Sequence, residues 1–138
     1  MYQVSAEQFE MFVRMGVQAI PEEFRNEMSN VAVTTAEWPT REQLVKLQLQ
    51  PGHHTLFGLY EGVPLPKRGA HYSGVLPDKI TIFRKPIEWA AHSEDDVRQQ
   101  VINTVWHEFG HHFGLNEAEV RAAERRRAER SAGLIPQI

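Results

Sequence analysis

His107-Glu108-Phe109-Gly110-His111-His112-Phe113-Gly114-Leu115-Asn116-Glu117 is the stretch around which the chain is organised, and its skeleton is H-E-x-x-H-x-x-G-x-x-E. On an α-helix, residues four apart differ by about 40° around the axis and about 6 Å along it. His107 and His111 therefore project together and can hold one Zn²⁺ through neutral imidazoles. Glu108, beside them, is then placed as general base for a water at the metal.

The phase of the helix agrees with that assignment. At roughly 100° per residue, Val97, Val101, Ile102, Val105, Trp106, Phe109 and Phe113 share one half-circle. His107 and His111 fall on the other side with Gln100 and Thr104, so a buried face and a metal face can coexist. His112 projects with the apolar residues and reads as a packed core histidine. His53, His54, His71 and His92 lack partners at ligand spacing and read as surface or structural side chains.

Gly114 carries the next step. Were the helix to continue, Glu117 would lie about 9 Å beyond His111 and off the ligand face. A glycine in the left-handed conformation ends a helix and reverses the chain, which brings Glu117 back as a third ligand. Two histidines, one carboxylate and an open fourth position make a catalytic zinc arrangement rather than a closed structural one. Glu124 and Glu129, on a later helix, are the alternative third ligands, but only Glu117 accounts for Gly114.

With these residues in place, the segment resembles the zincin metallopeptidases. Its extended form is similar to the metzincins, whose third ligand is a histidine at the position of Glu117. Metzincins also need a methionine turn after that ligand, and this chain has no Met beyond Met28. The closer resemblance is to the small bacterial minimal zincins, with motifs of the H-E-x-x-H-x-x-G-x-x-D type. Segments like Gly58-Leu59-Tyr60-Glu61-Gly62-Val63-Pro64-Leu65 and Gly74-Val75-Leu76-Pro77-Asp78-Lys79-Ile80-Thr81-Ile82 also occur in that family. The resemblance runs from about Asn30 to Glu117 and implies a zincin fold and a peptidase. It also places residues 79–84 as a sheet edge that pairs with extended substrate, with Ile80, Thr81 and Ile82 as substrate-binding residues; pairing by strand addition makes physical sense there.

Length and composition bound the rest. At 138 residues the chain reads as a single domain, 1–138, large enough for a core without staples. A net charge of −3 supplies no basic field for nucleic acid or an anionic membrane. The absence of cysteine excludes disulfides and thiolate metal sites and fits a reducing compartment. Met1 to Glu10 lacks a basic region followed by an apolar run, and no run approaches the ~18 apolar residues of a membrane span. The expectation is a cytoplasmic protein without a membrane or nucleic-acid partner.

Taken in order, Ser5-Ala6-Glu7-Gln8 reads as a capping box. Phe9, Phe12, Val13, Gly16, Val17 and Ile20 then follow at helical spacing up to Pro21. Asn30 to Glu37 reads as a strand, Thr40 with Gln43 caps a short helix that Pro51-Gly52 breaks, and Thr55 to Tyr60 reads as a second strand. Glu61 to Asp78, punctuated by Gly and Pro, reads as a flap over the cleft, with Lys67, Arg68, His71 and Tyr72 as polar candidates; Tyr72 could stabilise an oxyanion. Lys79 to Arg84 is a third strand, stopped by Pro86. Ser93 caps the active helix with Asp96 at its third position, and Asn116 to Arg130 reads as a solvated, highly charged helix.

These elements give an α+β class: a minimal zincin-like domain in which a short mixed sheet of about three strands packs on helices, the H-E-x-x-H helix among them. The function expected is zinc-dependent hydrolysis of a peptide or protein substrate, with Glu108 as base and His107, His111 and Glu117 holding one zinc per chain. Two rivals are weighed. A zinc endoribonuclease family uses H-x-x-x-H-x-x-G-x-x-H, but it lacks the glutamate after the first histidine and favours a basic cleft. A zinc-stabilised peptide-binding module would need no Glu108.

Overall fold

The computed structural model describes residues 1–25, 30–62 and 78–114, together with Ala118, Glu119, Ala122 and Arg125. Among these, the chain runs α1 (Ala6–Gln18), α2 (Glu22–Arg25), β1 (Val31–Ala36), α3 (Arg41–Lys46), β2 (Gly58–Glu61), β3 (Asp78–Phe83), α4 (Arg84–Ala90) and α5 (Glu94–His112). The three strands form one mixed sheet in the order β1-β3-β2, and the fold is α+β as expected. No helix among the described residues is long and apolar enough to cross a membrane.

β3 is the strand on which the sheet is built. It pairs parallel with β1, Val33 opposite Ile80, and antiparallel with β2, Tyr60 opposite Ile80. Both hydrogen-bonding edges are therefore occupied, and the expectation that residues 79–84 form a substrate-binding edge is corrected. Ile80 and Ile82 are 0% exposed and Thr81 3%, so none of the three can receive a peptide. The near-continuous apolar run Ile80-Thr81-Ile82-Phe83 is what a strand covered on both faces requires. Arg84 is the other correction: it opens α4 instead of ending the strand. Pro86 sits in the first turn of that helix, where a backbone N–H has no intrahelical partner to lose.

α5 lies against α1, α4, β2 and β3. Its buried face is the predicted one, with Val97, Val101, Val105 and Phe109 at 0% exposure. They pack with Ile80 and Ile82 of the sheet and with Phe9, Phe12 and Val13 of α1. Side chains of this size contribute about 1.5–3 kcal/mol each when fully buried. α1 can approach closely because Gly16 has no side chain; a Cβ there would meet Val105 Cγ2 at 3.0 Å. Ser5 caps α1 by accepting from Gln8 N–H. The Gln8 amide is turned to Glu94 at the start of α5, joining the two helix N-termini.

The remaining elements follow local rules. Thr40 and Gln43 form the expected capping box of α3. That helix stops at Leu47, ahead of Pro51-Gly52, because Gln48 takes the left-handed conformation (φ 61°) and Leu49 N–H returns to Leu44 C=O. Of the expected strand from Thr55, only Gly58 onward is strand, with Phe57 C=O also accepting Phe83 N–H. The expected flap from Glu61 to Asp78 falls largely outside the described residues. So does most of the charged segment after Asn116, of which Ala118, Glu119, Ala122 and Arg125 are helical.

Glu88, 2% exposed, anchors the N-terminal segment. Its Oε2 accepts Val4 N–H at 2.8 Å, while Arg84 donates to Val4 C=O at 3.0 Å and to Glu37. Glu88→Ala leaves a buried donor without its acceptor, a change that costs about 1–3 kcal/mol. Chemical denaturation should register that loss with an unchanged m-value; a change within about 0.5 kcal/mol, as at an ordinary surface site, would remove Glu88 from the anchoring role.

Candidate active site

α5 is held at both ends, which fixes where its polar face opens. Ser93 accepts from Asp96 N–H at 3.0 Å, and Glu94, Asp95 and Asp96 place negative charge in the first turn, complementing the helix dipole. At the other end Gly114 is left-handed (φ 77°) and its N–H returns to His111 C=O at 3.0 Å. The helix thus stops where the sequence requires it to.

His107 and His111 stand side by side on the polar face. Their ring centroids are 4.9 Å apart with the planes at 70°. A metal about 2 Å from one nitrogen of each ring, near a tetrahedral angle, sets the ring centres roughly 5 Å apart, so the pair fits a shared zinc. Among the described residues no group of three His, Cys, Asp or Glu could hold a metal. Glu117 lies outside those residues, and so does Tyr72.

Both histidines and Glu108 line one cleft of about 760 Å³, within the size range of small-molecule and peptide pockets. Glu108 is 7% exposed and sits where β2 comes closest to α5. Gly58 makes that approach possible: a Cβ there would lie 2.6 Å from Thr104 Cγ2, 3.1 Å from Glu108 Cγ and 3.3 Å from Glu108 Oε2. Leu47, Leu56, Phe57 and Leu59 give the cleft an apolar wall, and Asn103 and Thr104 add polar groups.

The structure therefore brings together His107, Glu108 and His111, while Ile80, Thr81 and Ile82 lie in the sheet interior and do not line this cleft. The residues that sequence reasoning missed come from β2 and the segment before it. The available signal was Gly58 inside a strand pattern, which often marks a close backbone approach. His112 is buried at 1% exposure, as the helix phase predicts, and its ring is hydrogen-bonded within that interior. His54 accepts Gln50 N–H in its own turn, a structural role as expected.

A family model described as zincin-like metallopeptidase matches residues 28–127. Among solved structures two chains match. One of them, a conserved hypothetical protein from T. thermophilus, is 23% identical. It aligns with a TM-score of 0.53, covering 80% of this chain and 94% of its own length. That likeness shows a shared fold and nothing of function. A search of curated proteins finds no match.

Gly58→Ala inserts a methyl group where Thr104 and Glu108 leave no room, and overpacking of this kind costs about 1–3 kcal/mol. Denaturant titration should show that loss in the single variant. Adding Thr104→Ser removes the clashing methyl group, keeps the hydroxyl bond to Gln100 C=O, and should restore most of the stability. If the second change restores nothing, Thr104 is not what excludes a side chain at position 58.

Proposed function

The chain belongs to the zincin-like metallopeptidase family, and from that membership we propose that it hydrolyses peptide bonds, using one zinc ion per chain and a glutamate general base. The observation that carries the reading is the opening of His107, Glu108 and His111 onto one cleft beside β2.

His107 and His111 would hold the zinc, with Glu117 as third protein ligand. Gly114, left-handed two residues beyond the end of α5, supports that choice because it turns the chain just ahead of Glu117. The metal, when bound, supplies Lewis acidity that acidifies water and polarises the scissile carbonyl. Glu108 takes the proton from the attacking water and delivers it to the leaving amine, a contribution of about 10²–10⁴-fold. The near-complete burial of Glu108 restricts bulk water at the carboxylate.

β2 takes the role first expected of β3. Among the described residues it pairs with one strand only, and it runs alongside the cleft face of α5. An extended peptide adding to its other edge would lie beside Glu108 and the two histidines. Leu47, Leu56, Phe57 and Leu59 favour a substrate segment that presents an apolar side chain. A cytoplasmic setting suits the cysteine-free composition.

Two experiments test this reading. Glu108→Gln should keep about one zinc per chain by elemental analysis and lose at least ~10²-fold in kcat on a peptide library; undiminished turnover with zinc bound would refute the base assignment. Zinc titration of Glu117→Ala beside Glu124→Ala should weaken binding in the first and spare the second. Unchanged affinity in Glu117→Ala would move the third ligand elsewhere.

A further inference from the structure

His111 occupies the last turn of α5, the part of a helix most prone to fray. Past the helix's own backbone ladder, Phe113 N–H returns to Phe109 C=O and Gly114 N–H to His111 C=O. A metal ligand placed there holds its direction better when a neighbour ties the turn to the rest of the fold.

The next residue provides it. His112 Nδ1 lies 2.9 Å from Asp78 Oδ2, and the Tyr60 hydroxyl donates to the same oxygen at 2.5 Å. The hydroxyl is also 3.2 Å from His112 Nδ1, and the Tyr60 and His112 rings meet edge-on. A ring nitrogen facing a carboxylate at this distance carries the proton and donates. Asp78 and His112 are each 1% exposed, so these donors replace part of the solvation the carboxylate has lost. Gly62 keeps the space open, because a Cβ there would lie 2.4 Å from Asp78 Oδ1.

Three elements meet in this network: Tyr60 from β2, Asp78 from β3 and His112 from α5. Neighbouring helical residues differ by about 100° in direction. Tying His112 to the sheet therefore sets the direction in which His111 leaves the helix toward the cleft. The same bonds hold β2, the cleft wall, at a fixed distance from α5.

We propose that Tyr60, Asp78 and His112 are positioning residues for the metal site, locking the last turn of α5 so that His111 stays in place beside His107. This rests on the reading that His107 and His111 hold zinc. Partners that orient metal ligands typically change affinity about 10–100-fold when removed, and here the orientation passes through the backbone rather than through the ligand ring.

The test is zinc affinity of the full chain, measured by competition with a chromophoric chelator, with folding followed by circular dichroism. Tyr60→Phe removes one hydroxyl and His112→Phe keeps a ring without its donor; each should weaken zinc binding about 10-fold. His112→Asn, which retains an N–H donor near the Nδ1 position, should recover most of that loss. Glu88→Ala perturbs a buried polar anchor elsewhere and should leave zinc affinity unchanged, separating positioning from general destabilisation. If His112→Phe does not fold, Tyr60→Phe carries the test alone. Wild-type affinity in the Phe variants that fold overturns the proposal, as does an equal loss in Glu88→Ala. Absence of zinc binding in the wild type overturns the metal reading as well, which distinguishes the two failures.

Discussion

One helix has to be buried and open at the same time, and the rest of the molecule depends on how that is met. Val97, Val101, Val105 and Phe109 hold α5 in the core, while His107 and His111 leave from its other side into the cleft. The two demands are compatible only because the apolar residues and the two histidines differ in helical phase. A shift in phase would bury the two histidines and expose the core together. The central strand β3, buried along Ile80, Thr81, Ile82 and Phe83, is the floor against which that phase is held.

Close approach around the helix is achieved by omitting side chains. Gly16 lets α1 settle against Val105, Gly58 lets β2 settle against Thr104 and Glu108, and Gly62 makes room for the Asp78 carboxylate. These glycines are used for their small size, unlike Gly114, whose positive φ ends the helix. Packing at protein density leaves little slack, so the wall of the cleft and the Glu108 side chain are set by the same contact. The polar seams then fix direction: Glu88 and Arg84 hold Val4 at the N-terminus, and Tyr60, Asp78 and His112 join the sheet to the last turn of α5.

The local geometry of the helices was more legible in the sequence than the way they pack. The caps at Ser5, Thr40 and Ser93, the end of α5 before Gly114 and the burial of His112 all follow from neighbours within a turn or two, and the structure has each of them. The misplaced features depend on distant partners. Residues 79–84 were expected at a sheet edge, yet β1 and β2 take both sides of β3. The helix at Arg84 was hidden by Pro86, which reads as a breaker until its place in a first turn is known.

What the sequence determined by itself was His107 and His111 on one helical face with Glu108 beside them, and a left-handed glycine beyond. Helical phase and capping are local, and residues three and four apart settle them. Only the tertiary structure decided that β2, and not β3, walls the cleft, that Gly58 lies against Glu108, and that Tyr60 and Asp78 reach His112. Strand order and register join groups far apart in the chain, so no local pattern states which strand is central.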